Sequence, residues 1–239
     1  CSWSSMDKSY TNDENRGRPL AVIMDTKLAK AILDFKIPYF GENLKNKSDS
    51  RSCMFDPRKL LSSPDLLRHV GKRMARIALQ KCSGNTLIGL ATSGIAWGAV
   101  CSLYSRLPFL YIRKKLEKQM SSKYIEGIIP KNAKIILIDD LIFSGESKHE
   151  AIEIIKDHLM DVTDIIVVID RQLQRVKDGP PVEHRHNIKL HALITMQEIV
   201  TYMLMRRAIT KSQLTNLIND YRAYERWNLP EFAKEGVFI

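Results

Sequence analysis

Apolar residues fall along this chain in two rhythms. Short, nearly unbroken runs stand at Thr86 to Ala91, Phe109 to Ile112, Ile135 to Ile138, Asp164 to Ile169 and Ile188 to Ile194. Each is too short for a helix and rich in Ile, Leu and Val, which reads as a strand buried on both faces. Between these runs the apolar positions recur at three- and four-residue spacing, the signature of a helix with one buried stripe. Ile23, Leu28, Ile32 and Leu33 predict a helix within Leu20 to Phe35. Leu66, Leu67, Val70, Met74, Ile77 and Ala78 predict another from Pro64 to Lys81, with Ser63 as its cap and Pro64 at its first position. Further helices follow over Ala96 to Ser105, along Ala151, Ile152, Ile154, Ile155 and Leu159, along Met196, Ile199, Val200, Met203 and Leu204, and along Leu214, Leu217, Ile218 and Tyr221. Strands near residues 87, 110, 136, 166 and 190 thus alternate with helices. The expected fold is α/β, a mainly parallel five-stranded sheet with helices on both faces and right-handed crossovers.

Polar stretches mark the rest. Residues 1–19 carry Gly17 and Pro19 and read as a flexible tail, with Cys1 to Ser5 an extension ahead of a natural start at Met6. Residues 20–239 then make one domain. Gly41 to Arg51 is too polar for core and reads as a solvated hairpin or loop. Arg113 to Lys123 holds five cations in eleven residues with little apolar patterning, which suits a loop. Gln174 to Asn187 is a polar loop, and its His184 and His186 read as solvated because no third metal ligand stands beside them.

Composition narrows the classes. The 239 residues suffice for one α/β domain with a small lid. A formal net charge of +10 favours an anionic partner: nucleic acid, a membrane surface or a polyphosphate. The basic residues gather in loops at strand ends and no nucleic-acid motif is present, so a polyphosphate is favoured. No apolar run is long enough to cross a bilayer. Cysteines at 1, 53, 82 and 101 form no Cys-x-x-Cys, which suggests neither a zinc site nor a disulfide framework, and the cytoplasm is the simplest compartment.

The chemistry concentrates in Lys134 to Ala151. An apolar run ends in Asp139 and Asp140, a short loop follows through Phe143, Ser144, Gly145, Glu146 and Ser147, and a helix begins. Ligands of open parallel sheets bind beyond the carboxyl ends of the strands. A loop entering a helix offers unpaired N–H groups and the positive end of the dipole to a phosphate. Gly145 permits close backbone approach, and Ser144 and Ser147 add hydroxyl donors. Two carboxylates cannot hold that phosphate, but they suit a diol or a cation beside it. Thr92-Ser93-Gly94-Ile95, between a strand and a helix, repeats the pocket-forming order.

The run Ile-Leu-Ile-Asp-Asp-Leu-Ile-Phe-Ser-Gly-Glu-Ser resembles the phosphoribosyl pyrophosphate (PRPP) motif of type I phosphoribosyltransferases. The resemblance implies that Asp139 and Asp140 hold the ribose hydroxyls and that residues 143–147 hold the 5′-phosphate. The family usually has Thr at the position of Phe143 and a small residue at that of Glu146. Three other stretches resemble the orotate branch of that family. Tyr111, Arg113 and Lys114 match the start of its catalytic loop. Aligning straight forward sets Glu117 at the loop lysine; one inserted residue sets Lys118 there, which keeps the charge. The branch's His-Gly pair is missing, with Gln119 or Met120 at the position of the His. Asp170-Arg171-Gln172 is similar to the segment whose arginine pairs with the carboxylate of orotate, a role for which a planar guanidinium fork is suited. Ser52, Phe55, Asp56 and Arg58 resemble a short strand lying against the base, within a small N-terminal hood at about residues 36–60 whose lysine would be Lys45 or Lys47. The resemblance, over about Lys30 to Val200, implies transfer of phosphoribosyl from PRPP to orotate. It also implies Mg²⁺ carried with the substrate, Arg113, Lys114 and Lys118 on pyrophosphate, and a homodimer sharing the basic loop. A transferase for another base and a PRPP-binding regulator without turnover are the alternatives.

Overall fold

The computed structural model describes residues 24–41, 52–113, 124–173, 179–223 and 230–234. The expected tail, the hood lysines Lys45 and Lys47, and Lys114 and Lys118 of the basic loop lie outside these residues.

The chain opens with α1 (Thr26–Asp34), then a ribbon of β1 (Pro38–Phe40) and β2 (Cys53–Phe55). A 3₁₀ turn (Pro57–Ser62) leads to α2 (Pro64–Gln80). There follow β3 (Thr86–Leu90), α3 (Ser93–Ser105), β4 (Phe109–Ile112), β5 (Ile125–Glu126), β6 (Lys134–Ile142), α4 (Glu146–Asp157) and β7 (Asp161–Asp170). The chain ends with α5 (Val182–His186), β8 (Lys189–Thr195), α6 (Met196–Met205), α7 (Lys211–Ala223) and a last 3₁₀ turn (Glu231–Ala233).

Among the described residues the main sheet has the order β5-β4-β3-β6-β7-β8, six strands rather than five. All five expected strands are present and pair in parallel. The sixth, β5, is antiparallel to β4 through Tyr111–Glu126 and Ile112–Ile125. Two residues are too few to display an alternation, so nothing in the apolar pattern announces it.

Period-2 alternation divides the core between the two faces of the sheet. Leu87, Ile136, Ile138, Ile166 and Val168 face α1, α2, α3 and α6, where they meet Ile32, Met74, Trp97 and Ile199. Ile88, Leu90, Ile135, Leu137, Ile165 and Val167 face α4 and α5, where they meet Ile152, Ile155 and Val182. A third cluster joins Cys53 of the ribbon to Met196 and Val200 of α6, Leu217 and Tyr221 of α7, and Phe232. The caps follow from local chemistry. Ser63 Oγ accepts from Leu66 N–H ahead of α2. Thr195 and Glu198 form a reciprocal capping box at α6.

Several expectations need correction. The helix expected from Leu20 is described only from Thr26, where Asp25 caps it by accepting from Leu28 N–H. Leu159, counted in the α4 stripe, lies past the end of that helix in a left-handed turn and is 97% exposed. Ser93 and Gly94 belong to the first turn of α3 rather than to a loop. His184 is exposed as expected, but the His186 side chain is only 6% exposed and meets His149 of α4. The missing neighbour was 37 residues away in sequence, beyond the reach of a local reading.

Candidate active site

The acidic pair does not follow a strand; it lies within one. β6 continues to Ile142 because β7 runs alongside as far as Asp170, pairing Leu141 with Ile169 and Ile142 with Asp170. Adjacent residues of a strand point to opposite faces, so the two carboxylates separate. Asp139 shares the face of Ile135 and Leu137, under α4. Asp140 shares the face of Ile136 and Ile138, towards the start of α3, and accepts a hydrogen bond from Ser93.

Their environments differ accordingly. Asp139 is 8% exposed, and both its oxygens are engaged. Oδ1 accepts from Asp140 N–H at 2.9 Å and Oδ2 from Lys148 Nζ at 2.5 Å. Burial and the neighbouring Asp139 charge push the Asp140 carboxyl up to about 6, with Ser93 opposing the rise.

Lys148 was missed in the sequence, although a signal was there. It stands at helical spacing with Ala151, Ile152 and Ile155, inside the buried stripe of α4. A cation on a buried stripe needs a counter-ion. Lys148 is 4% exposed, and its ammonium donates to Asp139 and also to Leu141 C=O at 2.5 Å.

Gly145 caps α4 with φ of 80°, a left-handed conformation that glycine adopts at no steric cost. The N–H groups of Lys148 and His149 bond back to Gly145 C=O. Those at the very start of the helix therefore face the cleft with the positive end of the helix dipole behind them. Gly94 comes directly after the opposite wall, Leu90 to Ser93. A Cβ there would stand 2.4 Å from Ile138 C=O, so only glycine lets α3 approach the end of β6 this closely. The Ala91–Thr92 peptide beside it is cis.

These pieces enclose a cleft of about 460 Å³. One wall is Leu90 to Ser93. The other runs from Asp139 to Leu141 and from Phe143 through Lys148, with Arg58 at the rim. Arg58 is exposed and paired with Asp56 at 2.6 Å. The structure thus brings together Asp139, Asp140, Phe143, Ser144, Gly145, Glu146 and Ser147. Glu146 brings a carboxylate to the same wall as the helix N–H groups.

Three expected residues, Phe55, Arg113 and Arg171, lie outside the cleft lining. Arg113 pairs with Glu126 at 3.1 Å, across β4 and β5. Arg171 is 3% exposed and lies between two rings, 5.0 Å from the Phe55 centroid and 5.2 Å from that of Phe143. Its Nη2 donates to Cys53 C=O at 3.3 Å. Tyr221 Oη donates to its carbonyl. Phe143 therefore touches the cleft on one side and Arg171 on the other, linking the loop to the ribbon.

Residues 58–198 match the phosphoribosyl transferase domain, well over half of the chain. The chain belongs to that family. It is 32% identical over 117 residues to an orotate phosphoribosyltransferase of Malacoplasma penetrans, covering 49% of this chain and 54% of that protein. It is 25% identical over 179 residues to the orotate phosphoribosyltransferase of Caenorhabditis elegans, covering 74% and 77%. Among solved structures it resembles Leishmania donovani UMP synthase with a TM-score of 0.67 and 25% identity, over 82% of this chain and 41% of that one. The matched residues thus span about half the length of the first relative and less than half of the UMP synthase. In this chain the family segment takes in β3 through β8 and the entire cleft.

Proposed function

We propose that this chain is an orotate phosphoribosyltransferase, joining PRPP and orotate to give orotidine 5′-monophosphate and pyrophosphate. The observation that supports this most is the cleft itself, where the N-terminus of α4 and the Asp140 carboxylate face one space. A 5′-phosphate placed against residues 144–147 meets backbone N–H groups and two hydroxyls. The adjoining ribose diol then donates to Asp140, while Asp139, held by Lys148, fixes the backbone that presents it. The branch-like Asp170-Arg171-Gln172 and the names of the relatives favour orotate as the base.

In the reaction the bond from C1 to the pyrophosphate oxygen breaks and a bond from N1 of orotate to C1 forms. The electron pair of the broken bond leaves with pyrophosphate, and the N1 proton passes to water or to the leaving group. The protein has little covalent work in such a displacement: it positions two reactants and stabilises charge moving onto the leaving group. Mg²⁺ prefers oxygen ligands and keeps much of its water, so Asp140 and the substrate's phosphates suit it, and when bound it would neutralise the departing pyrophosphate. Arg113, Lys114 and Lys118 of the basic loop would approach the same pyrophosphate, from a partner subunit if the chain is a homodimer. We place the reaction in the cytoplasm; no helix among the described residues is long and apolar enough to cross a membrane.

A second reading, a PRPP-binding regulator without turnover, draws on Glu146 in the phosphate wall. Incubation of the full chain with PRPP, Mg²⁺ and a panel of bases separates the readings. Pyrophosphate release that requires orotate supports the transferase. Release with adenine, uracil or xanthine alone points to another base, and tight PRPP binding without release points to the regulator.

A further inference from the structure

Helix α4 has a second polar face, away from the cleft. His149 and Glu153 are four residues apart and so lie on one side of the helix, and His186 at the end of α5 closes on them. The donor atoms of all three lie within 4.8 Å of one another. The two imidazoles are stacked at 5.0 Å between centroids and 30° between planes.

The hydrogen bonds fix the protons. Lys156 Nζ lies 3.1 Å from His186 Nδ1 and 3.0 Å from Glu153 Oε1. An ammonium only donates, so His186 Nδ1 accepts and the ring carries its proton on Nε2. That Nε2 lies 2.8 Å from His149 Nδ1 and donates to it. Both rings are therefore neutral in this arrangement, the form that ligates a metal. A cation, the Lys156 ammonium, already spans the imidazole of His186 and the carboxylate of Glu153.

We propose that His149, Glu153 and His186 form a zinc site that ties α4 to α5. Two imidazoles and one carboxylate are a common zinc donor set and leave one tetrahedral position open for water. The ion would replace the Lys156 ammonium between the two helices, one turn along α4 from the phosphate loop. Nitrogen donors disfavour Mg²⁺, so this ion is distinct from any magnesium that enters with a substrate. The other close group among the described residues, Cys82, Asp164 and His191, is not comparable. Its carboxylate already accepts from Ser83 N–H at 3.0 Å and from His191 at 2.9 Å, and burial raises the Cys82 thiol so that it stays protonated.

Calorimetric titration of the full chain with zinc chloride tests this, in excess magnesium chloride and without PRPP. One zinc per chain is expected. His149→Gln, His186→Gln and Glu153→Gln should each weaken that binding by about tenfold or more, since even residues outside the first ligand shell are worth that much. Glu153 is 52% exposed, so its variant keeps the result readable if loss of His186 disturbs the fold. Lys156→Met should bind zinc more tightly, because the competing ammonium is gone. Cobalt should give the absorption bands of a tetrahedral ion in the parent chain and lose them in the histidine variants. The proposal is overturned if the parent chain takes no zinc, if zinc binding is unchanged in all three ligand variants, or if Lys156→Met binds it more weakly.

Discussion

Asp140 sits at the centre of the cleft with a carboxyl that titrates near 6, raised by burial and by Asp139. A diol donates best to an ionised carboxylate, so the role proposed for Asp140 needs the proton gone. Activity should therefore fall as pH drops through about 6, and Asp140→Asn, a group that cannot ionise, should lose most activity at every pH. A kcat/KM profile against pH measures both. Lys148 stabilises the charged forms beside it, so Lys148→Met should move the acidic limb to higher pH. The same change strands the buried Asp139 charge and should cost about 3–5 kcal/mol of stability by denaturant melts, much of it restored when Asp139→Asn is added. Arg171 offers a fork that lysine lacks. Arg171→Lys should raise the orotate KM about tenfold, the scale of one charge-assisted hydrogen bond, and leave the PRPP KM nearly unchanged. Equal effects on both would remove Arg171 from base recognition. The acidic pair and the Ser-Gly-Glu-Ser loop were legible because adjacent residues in sequence build one site. Lys148 was less so, since Ser147-Lys148-His149-Glu150 reads as a solvated helix start until the phase of the apolar stripe is followed back from Ile155. The stacking of Phe143 and Phe55 on Arg171 joins three distant segments, and no local pattern records it.

At the scale of elements, the ends matter most. Asp25 caps α1 and reaches across to α2, accepting from His69 at 2.7 Å and from Arg73. Burial alone would raise its carboxyl, yet these donors hold it below the usual range. Asp25→Ala should cost about 1–2 kcal/mol, the scale of a lost cap and of hydrogen bonds lost to the half-buried His69 and Arg73, measured as a drop in thermal midpoint. Strands β3, β6 and β7 were legible because burial on both faces writes an apolar run, and β4 and β8, only partly buried, because their runs are still mostly apolar. The boundaries were less so. β6 runs past its apolar residues because pairing with β7, not composition, decides where it ends. The two-residue β5 and the β1–β2 ribbon depend on partners that local sequence does not name.

At the scale of the molecule, the cleft opens at the carboxyl ends of β3 and β6, with Arg58 of the first 3₁₀ turn at its rim, while the β1–β2 ribbon is fastened through Cys53 to α6 and α7. The net charge of +10 and the family segment both suit a substrate bearing phosphate and pyrophosphate. The most direct measurement is pyrophosphate release by the full chain from PRPP and Mg²⁺, with and without orotate. Release that appears only with orotate, alongside orotidine 5′-monophosphate in equal amount, is the predicted result. No release with orotate, or the same release with orotate left out, would contradict it.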